Sequence, residues 1–385
     1  MKVLFYLPVV TPWWFGELIV PMMRALHDDA EIHVLIGSLW RNTGIEAEHL
    51  APLADLDRIS WHIVGDEGCE DFRTNGAAVP GLLDLVAQIN PDLTLARSAD
   101  TATLEQFPGT VRYIMEGEQP PFVILPLRIL IEDKPFALGA MPAEASALAD
   151  RCVSAFGEVW EDSDRFRRPA LRADWRTVFG LPRGRPVLTV PLHYEHEENF
   201  YLMHSRFPEG VDLVRHLLRT LDKDVFLAVS DHPLNRRYVD RKELDRLILD
   251  NSERVALCQI DGVPGGASSV LAAHADAVLI EMSKSWSLAA HNGTPMIHID
   301  GANPAGWLRS TPLSDPGLQH WPSARLPAAD PDEARRYFCW HLGTRVFDPY
   351  TLTFDRLMQH VSGRVSDSII ESNAEILRNR LQKAA

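Results

Sequence analysis

Asp231-His232-Pro233 closes an apolar run that begins at Phe226, and Arg236 and Arg237 follow within four residues. Such a run reads as a buried strand. Proline stops central pairing and fixes a turn. A carboxylate at a strand end can act as nucleophile, base or cation partner. An imidazole can donate to a phosphate oxygen, and guanidiniums add positive charge beside it. The plain alternative is an Asx-type turn with a surface histidine and a solvated arginine pair.

A second stretch, "DAVLIEMSKSWSLAAHNGTPMIHI", reads as strand, Ser283-Lys284-Ser285 turn, short helix, and strand. Backbone N–H groups at a helix start, two hydroxyls and an ammonium make a phosphate site that needs no metal. Simple N-capping by serine is the alternative.

The elements around these stretches alternate. "KVLFYL", "EIHVLIG", "RISWHIV", "PDLTLA", "VRYIM" and "CVSAF" read as strands of a first half, with "FGELIVPMMRALHDD", "GLLDLVAQIN", "TATLEQF" and "EASALADR" as helices. A Pro-, Gly- and Arg-rich connection over 168–185 follows. A second series then runs "PVLTVPL", "DVFLAVS", "RVALCQI", "DAVLIEM" and "TPMIHID" as strands with helices between. The stretch from about Asp330 is mainly helical. Strand–helix alternation predicts α/β architecture: two doubly wound, mostly parallel Rossmann-like domains, 1–175 and 176–385, facing across a cleft. Ligands bind beyond the carboxyl ends of such strands. The amphipathic tail "SIIESNAEILRNRLQKAA" either packs back on the first domain or leads into a further module.

Composition narrows the classes. The 385 residues carry a formal net charge of -15, which argues against nucleic acid as a main partner. A local cation cluster still suffices for a small anion. Neither GxGxxG nor GxxxxGK[ST] occurs, so dinucleotide oxidoreductases and P-loop NTPases lack their signature. No window approaches the ~18 apolar residues of a membrane span. Cys69, Cys152, Cys258 and Cys339 form no CxxC pair and fit buried thiols of a reducing cytoplasm.

A strand ending in His-Pro, then a serine turn leading to "AxxxGxPxI", resembles the second domain of the GT-B glycosyltransferases. Val229–Arg237 and Glu281–Ile297 carry the likeness, and within that group they are most similar to the bacterial CMP-sugar-dependent retaining β-Kdo transferases of O-antigen and capsule assembly. The resemblance implies a CMP-β-Kdo donor, a glycan or lipid-linked oligosaccharide acceptor, and no metal or other cofactor. It implies that His232, Pro233, Arg236, Ser283, Lys284 and Ser285 hold the nucleotide, and that Asp231 attacks the anomeric carbon to form an aspartyl-glycosyl intermediate. A cytoplasmic protein with peripheral association at the inner face of the bacterial inner membrane fits that role.

Retention needs two inversions, hence a protein nucleophile, and then a base for the acceptor hydroxyl. Candidates from the first domain are Glu158, read as following the strand "CVSAF", then Glu118, beside Gln119-Pro120-Pro121, and Glu116. Each is also an ordinary surface acid or helix-start acid. Arg97 joins His232, Lys284 and Arg236 as a cation for the donor's two anionic groups. His193, His196, Glu197 and Glu198 crowd one loop, but their spacing is not HExxH, and no metal is expected there. Trp13 and Trp14 either stack an acceptor sugar or start the first helix as core aromatics. "GVPGGASS" either reads a nucleotide base or is a plain Gly-rich helix start.

Two other classes compete. A UDP-sugar 2-epimerase or UDP-sugar transferase would share the architecture, but Ser287 stands where a ribose-binding carboxylate is expected. A non-catalytic nucleotide-sugar-binding subunit of an assembly complex would bind without turnover.

Overall fold

The computed structural model describes residues 1–65, 67, 69–116, 129–171, 174–260, 266–321 and 325–384. Strands that are apolar at nearly every position are stable only where both faces are covered. In β1 (Lys2–Leu7) and β2 (Glu31–Gly37) every residue after the first is buried. They run parallel to each other and to β3 (Ile59–Val64), β4 (Leu93–Ala96) and β5 (Thr110–Glu116). β6 (Ile129–Glu132) then joins β5 antiparallel.

The second sheet holds β7 (Val187–Pro191), β8 (Phe226–Ser230), β9 (Val255–Leu257), β10 (Ala277–Ile280), β11 (Met296–His298) and β12 (Thr311–Pro312), all parallel. Its spatial order is β9-β8-β7-β10-β11-β12, and the first sheet runs β3-β2-β1-β4-β5-β6. Both are the doubly wound order in which the chain starts centrally, builds outward, then reverses.

The tail completes the first sheet. After the helix Pro331–Thr344, β13 (Val346–Phe347) pairs antiparallel with β6, and the helices Phe354–Ser362 and Asp367–Ala384 follow. Ile370, Ala374 and Leu377 of the last helix share one core cluster with Cys152 and Phe156 of the helix Ser146–Leu171. Trp286 and Leu288 of the second domain belong to it too, so one apolar core spans both layers.

The stretch "CVSAF" corrects the sequence reading, because it lies inside the helix Ser146–Leu171. Ala149, Cys152, Phe156 and Val159 are all buried, at spacings of three and four. That is one helical face, and it has the tail helices to cover it. A short apolar run cannot distinguish strand from buried helix by itself.

The loop after β2 is fixed by the buried Arg73, which donates to the carbonyls of Ser38 at 2.9 Å and Thr43 at 2.8 Å. Gly44 follows with φ +99, and a Cβ there would meet the Ser38 carbonyl oxygen at 2.3 Å. Only glycine fits that turn, whose N–H ties back to Val10 at 2.7 Å.

Candidate functional site

Each sheet reverses its winding at one point, between β1 and β4 in the first and between β7 and β10 in the second. Neighbouring loops part there and leave a crevice beyond the strand ends. The two crevices face each other: Lys284, after β10, donates to the Glu116 carbonyl at the end of β5 at 3.3 Å. Two opposed Rossmann-like sheets with a tail returning to the first define the architecture. The fold is GT-B.

The crevice of the second domain is built around Glu281. Its carboxylate accepts from His193 Nε2 at 2.7 Å, Ser205 Oγ at 2.8 Å and the Arg206 N–H at 2.8 Å. Burial would raise its pKa, but these bonds hold it below the ordinary carboxylate range. Glu281 thereby clasps both ends of the segment 193–206.

That segment straps across the GT-B cleft. Phe200 packs on Val9 and Ala99 and stacks on Trp40 at 5.9 Å. Arg97 lies over the Tyr201 ring at 5.4 Å, and His204 Nε2 donates to the Ala99 carbonyl at 2.5 Å. Glu197 pairs with Arg41 at 3.8 Å, and Glu198 accepts from Asn42. Glu197, Glu198 and His204 thus tie the two domains, while His193 and His196 stay with the second; among the described residues no group of three metal-ligating side chains converges.

The Asp-His-Pro end of β8 lies beside the crevice. His232 tilts against Tyr194 at 5.2 Å, and its Nδ1 accepts from the Leu234 N–H at 3.3 Å. The proton of the neutral ring is then on Nε2, a donor for an incoming anion. Burial lowers the His232 pKa, so the ring is neutral near pH 7. Asp231 is enclosed, with 1% side-chain exposure; Oδ1 accepts from Asn235 at 2.8 Å and Arg241 at 2.9 Å. Arg241 also binds Glu195 at 2.8 Å. Oδ2 has no hydrogen bond, and Arg236 Nε stands 3.7 Å away. Arg236 bonds Asp245 as well, at 3.2 Å, so it is less open than an unpaired cation. Pro233 leads into the helical turn Asn235–Tyr238.

Ser283, Lys284 and Ser285 open the helix Ser285–Asn292 at the crevice. The two serine hydroxyls bond each other, and the Ser285 N–H meets Ser283 Oγ at 3.3 Å. The N-cap residue, Lys284, makes no side-chain capping bond, so the serine hydroxyls are engaged with each other within the turn. Lys284 points across the cleft to within 4.0 Å of the Glu116 carboxylate, which Arg97 Nη2 binds at 2.7 Å. Desolvation would raise the Glu116 pKa, but Arg97 and Lys284 hold it at about 2. Glu116 is thus an ion-pair partner and no base near neutrality.

Glu158 is not at a strand end. It lies mid-helix, its side chain 81% exposed, 3.4 Å from Arg378 of the tail. The geometric argument for it as the acceptor base falls with the strand. Glu118 lies outside the described residues, as do residues 261–265 of the Gly-rich stretch.

Sequence reasoning missed Glu132, at the end of β6, whose pKa is pushed up to about 7 by burial against the pull of Lys284 and Arg345. Its signal was the short run "RILIEDK", not recognised as a strand. Also missed were the clasp of Glu281, although it lies in a singled-out stretch, and Tyr201 and His204 of the strap. The tryptophans divide: Trp14 is buried under Arg97 at 4.0 Å, and Trp13 is 62% exposed at the first helix start. A cavity of about 300 Å³ lies at the ends of β10 and β11, lined by Phe136, His204, Arg206, Glu281, Asp300 and Asn303 among others.

No family model and no curated protein matches the chain. Distant likenesses exist among solved structures. One is the Thermosulfurimonas dismutans KpsC β-Kdo 2,7 transferase, at 12% identity over 79% of this chain and 88% of that one, TM-score 0.42. Another is the E. coli ADP-heptose LPS heptosyltransferase II, at 13% identity over 100% of both chains, TM-score 0.25. A third is the Neisseria meningitidis UDP-GlcNAc 2-epimerase bound to UDP-GlcNAc, at 13% identity over 100% of both, TM-score 0.28. At this distance the GT-B assignment stands on the strand order.

Proposed function

We propose that this chain is a glycosyltransferase that takes an anionic sugar from a cytidine-monophosphate donor, CMP-β-Kdo, and delivers it with retention to a glycan or lipid-linked acceptor of a bacterial surface polysaccharide. The observation that carries the reading is the convergence of Lys284 and Arg97, from opposite domains, on one carboxylate, Glu116. A donor with a phosphate and a sugar carboxylate supplies the anions such a cation pair can receive.

In this reading the His232 Nε2–H, Lys284 and the Ser283 and Ser285 hydroxyls hold the phosphate. In the first step an Asp231 carboxylate oxygen attacks the anomeric carbon, and the bond to the phosphate oxygen breaks with its electron pair leaving on CMP. In the second step the acceptor hydroxyl attacks the same carbon, the aspartyl ester bond breaks, and the hydroxyl proton passes to a base. Trp13 offers an exposed ring on the acceptor side.

UDP-sugar enzymes are the second reading. The first turn of the helix Ser285–Asn292 carries no acidic residue, so the ribose-binding carboxylate expected of UDP-sugar enzymes does not stand there. Among the described residues no helix is long and apolar enough to cross a membrane.

The test is a thermal-shift panel of CMP, UDP, GDP and ADP, followed by CMP-Kdo with glycan acceptors. A ligand at 100 times its Kd adds about 2.7 kcal/mol of stability. Selective stabilisation by CMP is expected. Preference for UDP overturns the donor, and CMP binding with no turnover on any acceptor supports the binding-subunit reading.

A further inference from the structure

A cavity of about 660 Å³ opens outside the cleft, where the tail meets the first sheet. Arg112, near the start of β5, and Asp133, just after β6, place it at the end of the sheet away from the cleft. Its volume lies in the range of small-molecule sites, about 300–1,000 Å³.

The wall is divided by chemistry. Four arginines, Arg112, Arg151, Arg345 and Arg364, line it with two acids, Asp133 and Glu144, and apolar side chains including Leu148, Trp340 and Val365 cover the rest. Asp133 alone answers two guanidiniums, Arg112 Nε at 3.1 Å and Arg345 Nη2 at 3.3 Å. Arg345 is 8% exposed and also faces the Trp340 ring at 5.1 Å. Arg112 donates in addition to the Val361 carbonyl, at 3.1 and 3.0 Å. Arg151 is met by Asp367 at 3.3 Å. Arg364 is exposed and has no side-chain partner among the described residues. Four cations against Asp133, Glu144 and Asp367 leave one positive charge in excess, in a chain of net charge -15.

We propose that this cavity binds a phosphate ester with an apolar portion, the phosphate held by Arg112, Arg345 and Arg364 and the apolar part covered by Leu148, Trp340 and Val365. Guanidinium forks match phosphate oxygens, and a tetrahedral oxyanion can serve several forks where one planar carboxylate cannot. Burial disfavours charge on Arg112, Asp133 opposes this, and the neighbouring Arg345 adds to it, so a bound anion would offset the like charges. The apolar wall offers contacts that bare phosphate cannot make. The site is separate from the nucleotide crevice, so its fate does not depend on the proposed donor.

The test uses the full chain with three probes: inorganic phosphate, dihexanoyl phosphatidic acid below its micellar concentration, and phosphatidylcholine vesicles with or without phosphatidic acid. The short-chain ester is expected to bind at least about tenfold more tightly than phosphate, a difference of about 1.4 kcal/mol. Added salt should weaken it. Arg364→Glu should lower the affinity about tenfold or more, with the unliganded unfolding midpoint unchanged because Arg364 is exposed. Co-sedimentation with the phosphatidic acid vesicles, lost in R364E, identifies a lipid headgroup as the source. Binding of the short-chain ester without vesicle binding identifies a soluble phosphoester. Equal affinity for inorganic phosphate, no binding of the ester, or binding that R364E leaves intact each overturns the proposal.

Discussion

Lys284 Nζ lies 3.3 Å from the carbonyl oxygen of Glu116, a bond between residues 168 positions apart that joins the strand ends of the two domains. The Lys284 side chain is 40% exposed, within reach of the cleft. A charge-assisted contact of this kind contributes about 1.5–3 kcal/mol to whatever anion it meets. Lys284→Ala should therefore lower kcat/KM for the donor about 10- to 100-fold while the unfolding midpoint moves little. Steady-state kinetics and a melting curve check both halves.

Asp231 is both the implied nucleophile and a buried ion-pair partner of Arg241. Asp231→Asn leaves Arg241 with Glu195 and should cost stability, by about 3 kcal/mol or more if the pair is broken outright. At a temperature where the variant is folded, retained CMP binding with transfer lost is the expected result. Retained transfer removes Asp231 from the chemistry and leaves it a fastening role.

Glu281 holds the strap through three hydrogen bonds. Glu281→Gln keeps the shape and removes the charge. Amides of 193–206 should exchange faster with solvent, by a factor of about 10 or more for a loss of about 1.5 kcal/mol. Unchanged exchange across that segment would separate the strap from Glu281.

The acid side of the stability profile is set by buried histidines. Burial lowers the pKa of His341 to about 3 and that of His360 to about 4. Unfolded histidines take up protons near pH 6.5, and these two resist until far lower. Stability is therefore full above about pH 6.5 and falls as pH drops towards 4, by about 1.4 kcal/mol per pH unit for each histidine. Glu132 runs the other way, because its folded pKa is raised from 4.5 to about 7. Its contribution is present below its unfolded value and is lost as pH rises through 7. Two protons outweigh one, so a net loss on acidification is expected. Urea titrations from pH 4.5 to 8 should show that slope steepen in Glu132→Gln and flatten in a His341→Gln, His360→Gln double variant.

Much of this arrangement was legible in local patterns. Apolar runs such as Phe226–Ser230 and Ala277–Ile280 are strands because a doubly covered sheet needs uninterrupted apolar residues. The residues that end them, Asp231-His232 and Glu281-Met282-Ser283-Lys284, had to lie at the cleft once the strand direction was known. The end of the helix Ser285–Asn292 at Gly293, with φ +69, follows from C-capping chemistry.

Other features needed distance information that no local pattern contains. "CVSAF" is helix because Cys152 and Phe156 meet the tail, and without that partner its five residues suit either structure. Glu158 left the candidate site with it. The strap reached the first domain because Phe200 and His204 found Val9 and Ala99 there. Residue types and spacing determined that strand ends would present anion-binding groups. Which of those groups remain open, and which are bound by a partner such as Arg241 or Arg97, only the tertiary structure decided, because burial and pairing depend on residues far away in the chain.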